Sequence, residues 1–155
     1  MEIKKIVLPV DFTDISSIIA KYAKELGKKL DAEIVIVYIV EDLSSYEGLY
    51  VDPATIVEIE NKLIDGAKTS MEDFINQHFS DYPKVKTLIE KGEVIEKILE
   101  VAEKEGADLI VIGTHGRKGL DKILFGSVAE GVVKRSPIPV LCLNPYRIKV
   151  EDLKI

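Results

Sequence analysis

"EIVIVYIV", residues 33–40, decides the fold. The run is rich in β-branched residues and apolar on both faces. A strand with one wet face would alternate apolar and polar residues, and this one does not. It therefore predicts the centre of a parallel sheet covered by helices on both sides. "ADLIVIG" (residues 107–113) has the same two-sided character, and "KKIVLPV" (4–10) reads as a first buried strand. "KVKTLIEKG" (84–92) alternates, so it belongs nearer an edge, closed by Gly92; "IPVLCL" (138–143) is the last strand.

Helical patterns fill the gaps between these runs. Ile19, Tyr22, Ala23, Leu26 and Leu30 recur at helix spacing. Ile56, Ile59, Leu63, Ala67, Met71, Phe74 and Ile75 mark a long second helix, which Pro53 helps to start. Val94, Ile95, Ile98, Leu99 and Ala102 mark a short third helix, and Val128, Ala129, Val132 and Val133 a fourth. Strand and helix alternate throughout, with no repeat and no low-complexity linker. The pattern predicts an α/β fold, a doubly wound five-stranded parallel sheet in one domain spanning 1–155. Right-handed crossovers favour the strand order 3-2-1-4-5. The winding then reverses between strands 1 and 4, and a ligand is expected at their carboxyl ends.

Composition narrows the partners. The chain has 155 residues, 46% of them apolar, enough for a core without a metal or disulfide staple. Its formal charge of −6 argues against duplex nucleic acid or an anionic membrane as partner, since both require a basic face. A phosphorylated ligand is compatible with that charge, because backbone N–H groups hold phosphate without net positive charge. The single cysteine, Cys142, sits in an apolar run and reads as a small buried hydrophobe, which fits a reducing cytoplasm. No signal peptide and no apolar run of membrane-spanning length is seen, so the expectation is a cytoplasmic protein.

Four of the ten glycines, Gly113, Gly116, Gly119 and Gly126, crowd the connection between the fourth strand and the fourth helix. The spacing Gly113-x2-Gly116-x9-Gly126-Ser127 is neither a P-loop nor a dinucleotide fingerprint. The connection after the first strand, "DFTDIS", is acidic and would repel phosphate, so it should hold a base or ribose, with Asp11 accepting from ribose hydroxyls. The phosphate end then falls on Gly126 and Ser127, which open a helix whose first N–H groups lack intrahelical partners. Gly113 and Gly116 allow close approach or positive φ. Ser127 has a second reading: "SVAE" is a capping box, with Ser127 as N-cap and Glu130 at N3, useful without any ligand. His115, Arg117 and Lys118 are loop residues singly and candidate phosphate donors together.

These residues also carry a resemblance. "VIGTHGRKGLDKILFGSVAEGVVKRSPIPVLCL" resembles the carboxyl-terminal signature of the universal stress protein family, and "KKIVLPVDFTD" its opening strand and acidic loop. The long glycine motif resembles that of the family's ATP-binding branch. The resemblance implies a commonly dimeric five-stranded fold that binds ATP or a related adenine nucleotide, with Mg²⁺ held mainly by the phosphates. It implies that Pro9, Val10 and Asp11 border the adenosine. Ile39 would contact adenine through its backbone, Gly113 would lie near the ribose, and Gly116, Gly126, Ser127 and Val128 would bind phosphates, with His115 beside them. Lys118 and Phe125 depart from the usual residues at their positions.

The function expected is that of an ATP-binding stress-response or regulatory protein, whose nucleotide state sets conformation or choice of a protein partner that the sequence does not name. The alternative is a slow ATP hydrolase or other nucleotide-processing enzyme. The sequence lacks the early Ser-Gly-Gly loop and the His-x-Gly-His motif of related nucleotide enzymes, so no catalytic residue is assigned and at most slow ATPase activity is expected. Two further expectations concern shape. Val140 to Leu143 should form an apolar edge covered by a second copy of the chain, with Ile148 and Val150 adding to the contact. Residues 41–52 are long for a connection and read either as a lid over the crevice or as a surface loop.

Overall fold

The structure, a computed structural model, describes residues 1–46, 51–115 and 126–149. The chain runs β1 (Lys5–Pro9), α1 (Asp14–Leu30), β2 (Glu33–Glu41), a 3-10 turn at Ser44–Tyr46, α2 (Pro53–His78), β3 (Val85–Gly92), α3 (Val94–Lys104), β4 (Leu109–Gly113), α4 (Ser127–Arg135) and β5 (Val140–Leu143). The five strands form one sheet in the order β3-β2-β1-β4-β5, and every pairing is parallel. The expected fold class and strand order are therefore those observed.

The two-sided burial read from the sequence has a direct cause in the layers. Ile6 and Leu8 of β1 and Ile34 and Ile36 of β2 face α1 and α2, in a core with Ile19, Ala23, Met71 and Phe74. Val7, Val35 and Val37 point the other way, to Ile98, Val101, Ala129 and Val132 of α3 and α4. All seven of these strand residues are fully buried. Burying such a side chain is worth about 1.5–3 kcal/mol each, which fixes both faces of the central strands. β3 is an edge strand with no fully buried residue, as its alternation predicts. β5 is the other edge; Val140, Leu141 and Cys142 are half-buried.

Local signals set the element ends. Asp52 caps α2, its carboxylate accepting from Thr55 N at 2.9 Å, with Pro53 at the first helical position. Asp31 closes α1 in the left-handed region, at φ 52°. Asp108 anchors the start of the chain beside β4, accepting from the backbone of Lys4 and Lys5 at 2.8 and 3.0 Å. One expectation is overturned. The N-cap of α4 is Gly126, in extended geometry with φ −69° and ψ 154°, and no side chain among the described residues caps the helix. Ser127 is thus the first helical residue, and Glu130 pairs with Lys134 at 2.6 Å instead of turning back. The capping-box spacing is present in the sequence, but the helix begins one residue too early for it to close.

Candidate functional site

β1 and β4 are neighbours in register, Val7 opposite Ile110, so the segments leaving them sit side by side at the carboxyl edge of the sheet. This is where the winding reverses.

The segment after β1 is a tight, self-bonded turn. Val10 N donates to Val37 O at 2.9 Å, holding the end of β1 to β2. Asp11 N donates to Ser16 Oγ at 2.8 Å, and that hydroxyl donates back to Asp11 Oδ1 at 2.6 Å. Oδ1 also accepts from Thr13 N at 3.1 Å and Thr13 Oγ1 at 2.5 Å. Asp11 therefore shapes the turn, a role the sequence reading did not give it, and Thr13 and Ser16 are the partners it missed. Between them Phe12 adopts φ 61°, a left-handed conformation that costs a non-glycine residue about 1–3 kcal/mol. Its ring is held against Tyr38 (centroids 4.7 Å apart) and Phe74 (5.9 Å).

The segment after β4 is organised by Thr114. Its N–H donates to Leu143 O on β5 at 2.8 Å, and its carbonyl accepts from Gly126 N. The chain leaving β4 and the chain entering α4 are thereby tied together at one residue. Thr114 Oγ1 lies 2.9 Å from His115 Nδ1, and the His115 ring meets Tyr146 edge-on at 5.0 Å. Both Thr114 and His115 are buried. Thr114 and Tyr146 were not legible as site residues, because Thr114 fills an unspecified position of the glycine motif and Tyr146 lies beyond it.

The glycines act by packing. Gly113 and Gly126 are both outside the left-handed region, which among the described glycines is occupied by Gly92 and Gly106. A Cβ on Gly113 would lie 3.1 Å from Ile19 Cγ1 and 3.3 Å from His115 O; one on Gly126 would lie 3.0 Å from Thr114 O. Close approach, rather than positive φ, is what these two positions require. Ser127 is exposed at the first position of α4, while Val128 is half-buried in the α3/α4 core. Among the described residues the first-turn amides of α4 have no capping side chain, and such amides with the helix dipole favour an anion. Glu130, also in the first turn, is held by Lys134, which lowers its proton affinity and offsets its negative charge.

Of the remaining expected residues, Pro9, Val10 and Asp11 end and follow β1, while Gly113 and His115 end and follow its neighbour β4, whose next residue Thr114 bonds to Gly126 ahead of Ser127. Ile39 is buried near the end of β2, its side chain in the α3/α4 core, leaving its backbone for any contact above the sheet. Gly116, with Arg117, Lys118, Gly119 and Phe125, lies outside the described residues. Among the described residues no three His, Cys, Asp or Glu side chains converge as a metal would need, and no helix is long and apolar enough to cross a membrane. Of residues 41–52, the first part is pinned. Glu60, a buried residue of α2, accepts from Leu43 N at 3.0 Å and pairs with Lys91 at 2.8 Å. Residues 47–50 lie outside the described set.

A five-stranded parallel sheet in the order β3-β2-β1-β4-β5, with helices on both faces, defines a doubly wound α/β protein. The family follows from comparison. The model of the universal stress protein family matches residues 2–144, and the chain belongs to that family. Universal stress protein MJ0531 of Methanocaldococcus jannaschii is 38% identical over 142 residues, covering 91% of this chain and 82% of the relative. Universal stress protein MJ0577 of the same organism is 34% identical over 154 residues, covering 91% and 94%. The solved structure of MJ0577 superposes with a TM-score of 0.81 at 33% identity, covering 93% of this chain and 97% of the other. A universal stress protein from Archaeoglobus fulgidus, solved in complex with dAMP, matches in fold with a TM-score of 0.61 at 22% identity, covering 92% and 98%.

Proposed function

We propose that this chain binds ATP, or a related adenine nucleotide, across the β1/β4 edge and acts as a nucleotide-dependent regulatory protein in the stress response. The observation that carries the reading is the start of α4. No side chain among the described residues caps its N–H groups, Ser127 stands exposed at its first position, and Gly126 brings the backbone against Thr114. That arrangement is suited to phosphate oxygens. Phosphates of ATP would accept from the amides of Ser127 and Val128 and from the Ser127 hydroxyl, beside Gly116 and His115. The base and ribose would lie toward Pro9, Val10, Asp11, Gly113 and the Ile39 backbone. Among the described residues the site offers N–H and O–H donors and no carboxylate cluster, and on this reading Mg²⁺ is held mainly by the phosphates. The dAMP complex of the Archaeoglobus fulgidus relative supports an adenine nucleotide as the ligand class.

On this reading the nucleotide sets conformation or partner choice, and turnover is slow or absent. The active form is a cytoplasmic homodimer in which the β5 edges, Val140–Leu143, cover each other about a two-fold axis. Ile148 packs against the core of its own chain and so contributes to that surface only indirectly. The test is mass spectrometry of nucleotide released from freshly purified protein, followed by calorimetry with Mg-ATP. Released adenine nucleotide and saturable binding are expected. Absence of both would refute the proposal, and several ATP turnovers per second in the purified protein would replace it with the hydrolase reading.

A further inference from the structure

His78 has no role in the nucleotide site, yet its environment is unusual. It is the last residue of α2, 7% exposed, and its Nε2 has no hydrogen-bond partner among the described residues. Its ring stacks at a tilt on Phe74, centroids 4.7 Å apart. The charges acting on it are Lys21 and Lys24, both from α1, across the seam between the two helices. Lys24 is itself bound to Asp81 at 2.9 Å, and Asp81 also binds Lys28 at 3.0 Å. Those two lysines hold the Asp81 carboxyl down to about 2, so it stays ionised throughout the range in which a histidine titrates. The helix C-terminus favours a cation at this position, but burial and the two lysines oppose one. The net result is a proton affinity below the ordinary value of 6.5.

Phe74 links this residue to the site. The ring that packs on His78 also packs on Phe12, the left-handed residue in the turn after β1. A strained backbone persists only while its surroundings hold it. Phe74, together with Tyr38, is what holds the Phe12 ring.

We propose that His78 is a proton-operated latch on the nucleotide site: uncharged, it lets α1 and α2 close against Phe74 and Phe12; protonated, it loosens that seam and releases the turn that borders the adenosine. The latch rests on the proposed nucleotide reading only for its ligand; the link from His78 to Phe12 stands without it. The sign follows from linkage. A histidine whose affinity for protons is lowered in the folded state leaves the seam at full strength above pH 6.5. The seam weakens as pH falls below that, through the lowered value, by up to about tenfold in its opening equilibrium per pH unit. Binding and protonation are reciprocal, so a nucleotide that needs the closed turn must make His78 harder to protonate.

The chain has two histidines, which makes nuclear magnetic resonance a direct assay. Both rings and the Asp11 and Phe12 amides are followed from pH 8 to pH 5, with and without Mg-ATP. The expected result is that the Phe12 amide moves with the His78 midpoint, and that Mg-ATP lowers this midpoint by about half a unit, equivalent to about threefold in affinity. In His78→Phe the Phe12 amide should lose its pH response. A His78 that titrates while Phe12 stays still overturns the latch, as does a midpoint untouched by bound Mg-ATP. If Mg-ATP does not bind at pH 8, the nucleotide reading fails, and the Phe12 amide in free protein still decides the latch. If His78→Phe does not fold, the wild-type titration alone decides it.

Discussion

Replacing Gly126 separates the roles of backbone and side chain at the start of α4. The residue has φ −69° and ψ 154°, so any amino acid can adopt its conformation, and the effect of a side chain there is steric. An added Cβ would lie 3.0 Å from Thr114 O, whereas ordinary contact begins at 3.4 Å. Gly126→Ala therefore needs a displacement of about 0.4 Å away from Thr114, which also strains the Gly126 N to Thr114 O bond. The Ser127 and Val128 amides move with it. A hydrogen bond to a charged group is worth about 1.5–3 kcal/mol, so misplacing one weakens ATP binding about 10- to 100-fold. Gly126→Ala should fall near the lower figure. Gly126→Val adds two methyl groups against the same carbonyl and should exceed the higher one. Alanine is also a poorer N-cap than glycine, costing about 1 kcal/mol of stability. The assay is titration calorimetry with Mg-ATP, at a temperature where circular dichroism shows each variant folded. A Gly126→Val protein that binds ATP as tightly as wild type would refute the assignment of α4 as the phosphate end.

Ser127→Ala should weaken ATP binding about 10- to 100-fold while changing stability by less than about 0.5 kcal/mol, because Ser127 is exposed and is not the cap; a large drop in melting temperature would restore the capping-box reading. Gly113→Val should lose about 1–3 kcal/mol in denaturant unfolding through overlap with Ile19 and the His115 carbonyl, and an unchanged midpoint would contradict that packing. Charged residues at both Val140 and Leu143 should yield monomer or aggregate, and a double variant still dimeric in light scattering would move the interface elsewhere. The Glu60 carboxyl is held below its ordinary 4.5 by Lys91 and the Leu43 amide, so the segment after β2 should keep its protection from hydrogen exchange above that value and lose it as pH falls further; Glu60→Gln should flatten that dependence, and an unchanged profile would count against the pin.

The central strands were legible because burial on both faces leaves no polar alternation. The strand order followed from handed crossovers once the elements alternated. The glycine motif singled out the connection between β4 and α4 for a related reason, since its spacing lies within a single connection. What the sequence hid depends on contacts between distant segments. Phe12 carries no sign of its left-handed backbone, which needs Tyr38 and Phe74 to hold it. Asp11 reads as a ligand group, and nothing in the sequence shows that Thr13 and Ser16 also gather around its Oδ1. His78 closes a polar-looking helix end, "INQHFS", and is buried only because Phe74 and α1 meet there. The capping register of α4 slipped by one residue because Gly126 is tied to Thr114, a bond between positions the motif does not relate.

β1 has consequences for how the molecule is made. It pairs with β2, reached within about thirty residues, and with β4, Ile6 opposite Leu109 and Val7 opposite Ile110. During synthesis β1, α1, β2 and β3 emerge first, with one flank of β1 unpaired until β4 follows. The Asp11 turn can form early; Thr114 and α4 can join it only when nearly the whole chain is out. A ligand seated between them favours completion of the sheet and adds to global stability by mass action. A nascent or truncated chain ending before α4 would gain none of that, and would carry an open central strand for chaperones or proteases to find.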